Sequence, residues 1–235
     1  MLPGAFNALT AMQIERAGFD AVYVSGAGIA AARGLPDIGL LSMTEVVADA
    51  GAIARSVAIP ALADADTGYG PPLSVMRTVE VFEQAGLAGL HLEDQESPKK
   101  CGHLPDKRLV AVAEMAQKVG AAAQARRDRD FLIVARTDAR AVEGLDGAVK
   151  RARAYVNAGA DAIFPEALGY RLVLFPVTAL RVATQAIEAM LEELRSLGTQ
   201  QRSLDKMQTR QRLYELLRYA EYEKWDDDIE KRYGR

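Results

Sequence analysis

Two aspartates separated by one residue, Asp64 and Asp66, are the first group whose types and spacing could do chemistry. They end an apolar run, residues 59–66, that is typical of a strand, and residues two apart on a strand point to the same side. Neighbouring carboxylates repel unless they share a proton or a cation, and Mg²⁺ prefers oxygen ligands. The pair therefore predicts a magnesium site, although Asp66 alone could instead cap the next helix.

Three further residues could complete this site. Glu93 ends the next acidic run and could bind the cation directly or through water, or it could pair with Arg136 on the following strand. Arg136 could grip a substrate carboxylate with two hydrogen bonds. Asp37 lies in a loop after the second predicted strand and could reach the site or form a turn. His91, inside a strand, is interpreted as a core or supporting residue.

The segment 99–103, Lys-Lys-Cys-Gly-His, combines a thiol with basic neighbours. Gly102 and Pro105 favour a loop. Lys99 and His103 would lower the pKa of the Cys101 thiol, which suits acid–base or nucleophilic chemistry. The alternative, a small buried hydrophobic residue, fits so polar a loop poorly.

A short glycine pattern, Ser25-Gly26-Ala27-Gly28, follows another predicted strand. Its backbone N–H groups could bind a carboxylate, but the pattern is weak and is neither a dinucleotide fingerprint nor a Walker A sequence. Together the candidates predict a metal ion, a carboxylate-rich substrate and an acid–base thiol. That combination suits cleavage of a carbon–carbon bond through a metal-stabilised enolate.

The elements that must position these residues alternate between strand and helix. Three helical patterns end in Ala-Gly at Gly18, Gly86 and Gly159, where glycine would take the left-handed position before the next strand. Polar residues end nearly every strand, as at the catalytic face of a (β/α)₈ barrel. We therefore predict such a barrel, with strands at residues 3–7, 21–25, 59–66, 89–94, 131–137, 161–167 and 170–176.

One βα unit is missing from this pattern. Only Leu168 and Gly169 separate the last two predicted strands, whereas a parallel crossover needs about a dozen residues or more. Beyond Pro176 the sequence is helical, with helices predicted over residues 179–197 and 204–235. We expect a barrel over residues 1–197 and a helical extension over residues 198–235. The extension could pack on its own barrel or on a neighbouring subunit.

The composition excludes several classes of protein. The 235 residues are 49% hydrophobic and 26% charged, which describes a globular chain. A net charge of −3 argues against nucleic-acid binding. No apolar stretch approaches the roughly 20 residues of a membrane span, and no signal peptide is evident. One cysteine cannot form an intrachain disulfide, so we expect a cytoplasmic protein.

An ordered set of motifs resembles the isocitrate lyase/phosphoenolpyruvate mutase superfamily. The motifs are LPDIG, DADTGYG, HLEDQ, KKCGHLPDK, ARTDA and FPEA, and together they are far more specific than any one alone. The resemblance runs from about residue 3 to 168 and resumes at 169. The cysteine loop resembles the superfamily's lyases, and KKCGHLPDK is more similar to those that cleave 2-methylisocitrate to pyruvate and succinate, in the methylcitrate cycle of propionate degradation, than to isocitrate lyases.

The resemblance implies a Mg²⁺-dependent barrel, with Mn²⁺ as a substitute, and a homotetramer that exchanges C-terminal helices as a dimer of dimers. Asp66 would bind the metal, supported by Asp37, Asp64 and Glu93, and Cys101 would protonate the succinate carbanion. Tyr23 would be a candidate base for the substrate hydroxyl. The small-acid substrate would be surrounded by Tyr23, Ser25, Gly26, Ala27, Lys99, Gly102, His103, Arg136 and Glu166.

The departure from the family lies between FPEA and the last strand. Related proteins carry there a further strand, ending in an Asn-Thr-Glu-like segment that helps to hold the substrate carboxylates. Its absence leaves two alternatives to the predicted lyase. The chain could act on another small diacid, as an isocitrate lyase or oxaloacetate decarboxylase, or it could be a non-catalytic barrel relic.

Overall fold

A curled parallel sheet forms the frame of the protein in the computed structural model, which describes residues 1–100, 106–165 and 173–233. Within these residues the sheet has seven strands in the order β6-β5-β4-β3-β2-β1-β7, and every neighbouring pair is parallel. This confirms the predicted barrel-like α/β fold. The strands are β1 Leu2–Ala5, β2 Val22–Val24, β3 Ala61–Asp64, β4 Gly89–Glu93, β5 Leu132–Thr137, β6 Ala162–Pro165 and β7 Leu174–Phe175.

Helices follow the strands and are bounded by local signals. Asn7 caps α1 through its side chain, and Ser42 and Glu45 form a reciprocal capping box at α3. The glycines that follow α1, α4 and α6 have φ of +84°, +91° and +113°, as predicted. The helices are α1 Ala8–Arg16, α2 Gly26–Ala32, α3 Met43–Arg55, α4 Pro72–Gln84, α5 Val112–Ala125, α6 Ala139–Asn157, α7 Thr178–Leu197, α8 Arg210–Leu216 and α9 Tyr219–Tyr233.

The core lies where the helices cover the sheet. Side chains of α3, α4 and α5 pack with β4 and β5 in one apolar cluster that includes Ile53, Phe82, Leu90, Met115 and Ile133, all fully buried. Because strands of a parallel sheet are covered on both faces, β4 is buried along its whole length. This packing fixes the strand ends, and therefore the side chains that project from them.

The sheet is not closed by pairing between β6 and β7 within the described residues. These strands are joined by residues 166–173 alone, fewer than a helical crossover between parallel strands requires. The missing βα unit that the sequence predicted after Leu168 is therefore reflected in the topology. Leu168 itself lies outside the described residues.

The C-terminal part differs from the prediction of one helix over residues 204–235. A 3₁₀ helix, Gln201–Lys206, precedes α8, and α8 is separated from α9 by Arg218, whose φ is +55°. A left-handed residue ends an α-helix, so the predicted helix is divided.

The chain consists of two compact units, Met1–Leu180 and Arg181–Arg235, with the boundary inside α7. The division predicted at residue 197 stays a prediction. No helix in the described residues is long and apolar enough to cross a membrane.

Candidate active site

The carboxyl ends of β3, β4 and β5 bring the main polar residues together. Asp64 ends β3, Glu93 ends β4 and Arg136 is the penultimate residue of β5. The strand register places Asp64 opposite His91 and Glu93 opposite Arg136. Because the sheet is parallel, these residues share one edge, where α/β barrels carry their active sites.

Asp66 joins this group by a different route from the one predicted. The strand ends at Asp64, and Asp66 lies in the following turn with φ of +47°. Its backbone N–H donates to Asp64 Oδ1 over 3.0 Å. The two carboxylates are therefore close because of a tight turn, and the strand-alternation argument was wrong. Gly26 also borders Asp64, and a Cβ there would lie 2.9 Å from Asp64 Oδ2, so only glycine fits without a shift.

The Lys99 ammonium lies among the carboxylates. It forms ion pairs with Asp37 and with Asp66, the latter over 2.9 Å, and its side chain is almost completely buried. Burial alone would lower the pKa of Lys99, but the carboxylates of Asp64, Asp66, Glu93 and Asp37 outweigh this and raise it. Lys99 is therefore a fixed positive charge in this cluster.

The cluster has the chemistry of a cation site, although within residues 1–100, 106–165 and 173–233 no three His, Cys, Asp or Glu side chains already form a ligand set. Within the part of the chain that the structure describes, the buried Oδ1 of Asp66 has no oriented hydrogen bond despite its contact with Lys99. An ion pair without a directional hydrogen bond leaves lone pairs that a hard divalent ion could accept. The residues present therefore fit Mg²⁺.

The carboxylates differ in their affinity for protons. Burial and the neighbouring Asp64 raise the pKa of Asp66 to about 6, and burial raises the pKa of Glu93 to about 8. Burial acts in the same direction on Asp64, but interactions with His91, Lys99 and Arg136 outweigh it and lower its pKa to about 2. Asp64 is thus the permanently ionised member of the group at neutral pH.

Tyr23 and His91 form a buried pair beside Asp64. Their rings stack 5.7 Å apart, and the Tyr23 hydroxyl lies 2.7 Å from His91 Nε2 and 3.3 Å from Asp64 Oδ2. His91 Nδ1 is buried and has no hydrogen-bond partner among the described residues. If Nε2 carries the proton, the unpaired Nδ1 is a hydrogen-bond acceptor and no buried N–H of His91 lacks a partner. We therefore assign the His91 Nε2–H as a donor to the Tyr23 hydroxyl, which in turn donates to Asp64.

Tyr23 is poorly suited to act as a base in this arrangement. Burial and the charge of Asp64 raise its pKa well above the ordinary value. A neutral phenol donates a hydrogen bond, so the predicted role as base stays a prediction that this environment disfavours.

Arg136 is already paired. Its guanidinium lies 3.2 Å from Glu93 and 3.2 Å from Asp138, and it stacks 5.4 Å from the centre of the Phe164 ring. The ion pair with Glu93, considered as the alternative, is therefore present. An incoming carboxylate would exchange one of these partners.

The glycine pattern begins α2. Ser25 is buried and caps this helix by accepting a hydrogen bond from the Gly28 N–H over 3.0 Å. The cap uses one of the N–H groups that the sequence assigned to anion binding, while Gly26 and Ala27 form the first turn. Cys101, Gly102, His103 and Glu166 lie outside the described residues.

Sequence reasoning missed a buried polar cluster behind the site. Asp94 accepts hydrogen bonds from Thr137 over 2.7 Å and from Tyr155 over 2.8 Å, and Arg151 lies 3.4 Å away. Lys107 pairs with Asp138 over 3.3 Å. Arg151 and Tyr155 share one face of α6 at a spacing of one turn, which was the available signal.

An open cavity of about 930 Å³ adjoins the site and is lined by Asp66, Tyr69, Gln95 and Lys99, among others.

The chain is similar to known proteins over most of its length. The sequence profile of the phosphoenolpyruvate phosphomutase family matches residues 1–220. A probable 2-methylisocitrate lyase of Corynebacterium glutamicum is 48% identical over an alignment covering 97% of this chain and 88% of that protein. The 2-methylisocitrate lyase of Escherichia coli is 40% identical, covering 96% and 90%.

Solved structures of related enzymes have the same fold. A phosphoenolpyruvate phosphomutase from Streptomyces platensis matches with a TM-score of 0.92 and 32% identity, covering all of this chain and 94% of that one. A phosphonopyruvate hydrolase complexed with oxalate and Mg²⁺ matches with a TM-score of 0.87 and 28% identity, covering all of this chain and 94% of that one.

The alignment with the Corynebacterium glutamicum protein spans 267 residues, more than the 235 of this chain. That relative therefore carries residues within the aligned region that have no counterpart here, as the short connection between β6 and β7 implies. With a family match across most of its length and several 2-methylisocitrate lyases among its relatives, the chain belongs to the phosphoenolpyruvate phosphomutase family.

Proposed function

We propose that the chain is a Mg²⁺-dependent carbon–carbon lyase that cleaves 2-methylisocitrate to pyruvate and succinate, as a cytoplasmic step of the methylcitrate cycle. The observation that carries the proposal is the cluster of Asp37, Asp64, Asp66 and Glu93 around one buried cationic position, now taken by the Lys99 ammonium. The similarity to 2-methylisocitrate lyases supports the choice of substrate.

The reaction requires that a hydroxyl proton leaves, one carbon–carbon bond breaks and one carbon gains a proton. Asp64 and Asp66 would hold Mg²⁺, supported by Asp37 and Glu93, and the bound ion would stabilise the negative charge that develops on substrate oxygens. Arg136 would hold a carboxylate of the substrate and orient the bond to be broken. The electron pair of that bond remains on the succinate carbon.

The Cys101 thiol would then protonate that carbon. Cys101 has basic neighbours in sequence, Lys99, Lys100 and His103, and nearby cations lower the pKa of a thiol, which suits a general acid. Ser25 and the first turn of α2 would contact the substrate, together with Lys99, Gly102, His103 and Glu166. The hydroxyl proton would pass to a base that Tyr23 or a carboxylate of the site supplies.

A coupled assay for pyruvate tests this proposal. We expect turnover of 2-methylisocitrate that is lost in EDTA and restored by Mg²⁺, and at least a hundredfold lower turnover for Cys101→Ser. Isocitrate, assayed by glyoxylate formation, and oxaloacetate, assayed by pyruvate formation, should be poorer substrates. Full activity in EDTA would overturn the role of the metal, and faster turnover of either alternative acid would overturn the choice of substrate.

The topology favours a second candidate, a non-catalytic relic. The missing βα unit removes a strand that would line the site, and it leaves the edges of β6 and β7 without each other as partners in the described residues. Mg²⁺ binding by calorimetry without turnover of any of the three acids would favour this candidate over the lyase.

We also infer that the protein is a homo-oligomer. The amphipathic helix α7 buries none of its residues, and Ile187, Leu191 and Leu194, which share one face of the helix, are 51%, 52% and 43% exposed. Exposed apolar side chains in one stripe are typical of surfaces covered by another subunit. Light scattering should therefore give a mass several times 25.4 kDa, with a tetramer expected, and Ile187→Glu combined with Leu191→Glu should lower it. A monomeric wild type would contradict this inference.

A further inference from the structure

The side-chain amide of Gln95 pairs with the backbone of Lys100 in both directions. Its Nε2 donates to the Lys100 carbonyl over 2.9 Å, and its Oε1 accepts from the Lys100 N–H over 3.0 Å. Gln95 is 1% exposed. The side chain therefore imitates a peptide group on a neighbouring strand and fixes the residue that directly precedes Cys101.

The same amide faces the acidic cluster. Gln95 Nε2 lies 2.9 Å from Asp138 Oδ2 and 3.2 Å from Glu93 Oε1. Every partner of the nitrogen is an acceptor and the partner of the oxygen is a donor, so the orientation of the amide is determined. One side chain thus joins the start of the cysteine segment to the carboxylates of the site.

The chain that follows Cys101 is also anchored, at Lys107 and Arg108. Lys107 pairs with Asp138, the second acid that Gln95 contacts. Beyond it, the Glu96 N–H donates to the Arg108 carbonyl over 2.8 Å. Lys100 is therefore tied to Asp138 through Gln95, and Lys107 is tied to it directly.

We propose that Gln95 is a positioning residue that ties the backbone of Lys100, the residue directly before Cys101, to the carboxylates of Glu93 and Asp138. The proposal rests on the proposed function only for the role of the thiol. Glutamine suits this position because it supplies a donor and an acceptor without charge. Glutamate has the same shape but lacks the donor and adds a charge among carboxylates, and methionine lacks both groups.

Limited trypsinolysis tests the anchoring directly, because the bond after Lys100 is a tryptic site. For Gln95→Met, which loses two buried hydrogen bonds to the backbone, we expect at least about tenfold faster cleavage between Lys100 and Cys101. Fragment masses would identify the bond. Tyr155→Phe is the matched control, since it removes a hydrogen bond to Asp94 from the neighbouring buried cluster but none to Lys100.

Kinetics separate positioning from general loss of stability. If the wild type turns over 2-methylisocitrate, Gln95→Met should lower kcat at least tenfold with little change in KM, and Tyr155→Phe should retain most of kcat. If no turnover is found, the proposed function fails while the proteolysis still decides the role of Gln95. Equal cleavage rates for Gln95→Met and wild type, or equal acceleration by Tyr155→Phe, would overturn the proposal.

Discussion

Replacing Asp64 by asparagine is expected to reduce turnover of 2-methylisocitrate about a thousandfold or more, because the metal contributes several kcal/mol to the transition state. Asp64 is the carboxylate whose pKa is lowered to about 2, so it is ionised at any pH at which the enzyme would work. Asparagine keeps the shape and removes the charge. Mg²⁺ affinity, measured by titration calorimetry, should fall at least about tenfold.

Asp146→Asn is the matched control, since Asp146 is an exposed residue of α6 away from the strand ends. It should leave Mg²⁺ affinity and turnover unchanged. Unaltered Mg²⁺ affinity in Asp64→Asn would remove Asp64 from the metal site and leave Asp66 and Asp37 as the candidates.

Above pH 8, where Glu93 is ionised, Arg136→Met is expected to lower the free energy of unfolding by about 3–5 kcal/mol, because it leaves the buried carboxylates of Glu93 and Asp138 without their shared cation. Turnover should also be lost, because the substrate carboxylate loses its partner. Denaturant unfolding measures the first effect and the pyruvate assay the second. Arg153→Met, at an exposed position of α6, should change neither.

The pH dependence of this deficit has a defined sign. The pKa of Glu93 is raised by burial to about 8, while Arg136 acts in the opposite direction. A raised carboxyl pKa gives stability that is complete at low pH and is lost as pH rises through the folded value. In metal-free protein the deficit of Arg136→Met should therefore be largest above pH 8 and smallest near pH 5. A deficit independent of pH would show that Glu93 does not depend on Arg136.

The sequence was sufficient for the fold because its signals are local and repeated. The Ala-Gly helix ends and the apolar strands each predict one βα junction, and the junctions add up to a parallel sheet. The short connection after FPEA also predicted the missing βα unit, because two residues are too few for a parallel crossover. The division of the C-terminal helix at Arg218 was not predictable, because a positive φ at an arginine has no local sequence signal.

The site was predictable in its strand-end members but not in the contacts between them. Asp64, Glu93 and Arg136 follow from their places at strand ends, whereas the pairing of Lys99 with Asp37 joins two loops that are distant in sequence. Gln95 was overlooked because a glutamine beside two acids is typical of a solvent-exposed loop. Only the fold reveals that its amide is buried and paired with a peptide group.

The edges that β6 and β7 present in the described sheet determine which elements should open first. Local opening begins at elements with few partners, and β6 has β5 as its only neighbour in the described sheet, while β7 pairs through two residues with β1. Phe164 of β6 supports Arg136. On warming, local opening of β6 should therefore release Arg136 while β3 and β4 are still intact. Heat inactivation should then precede global melting.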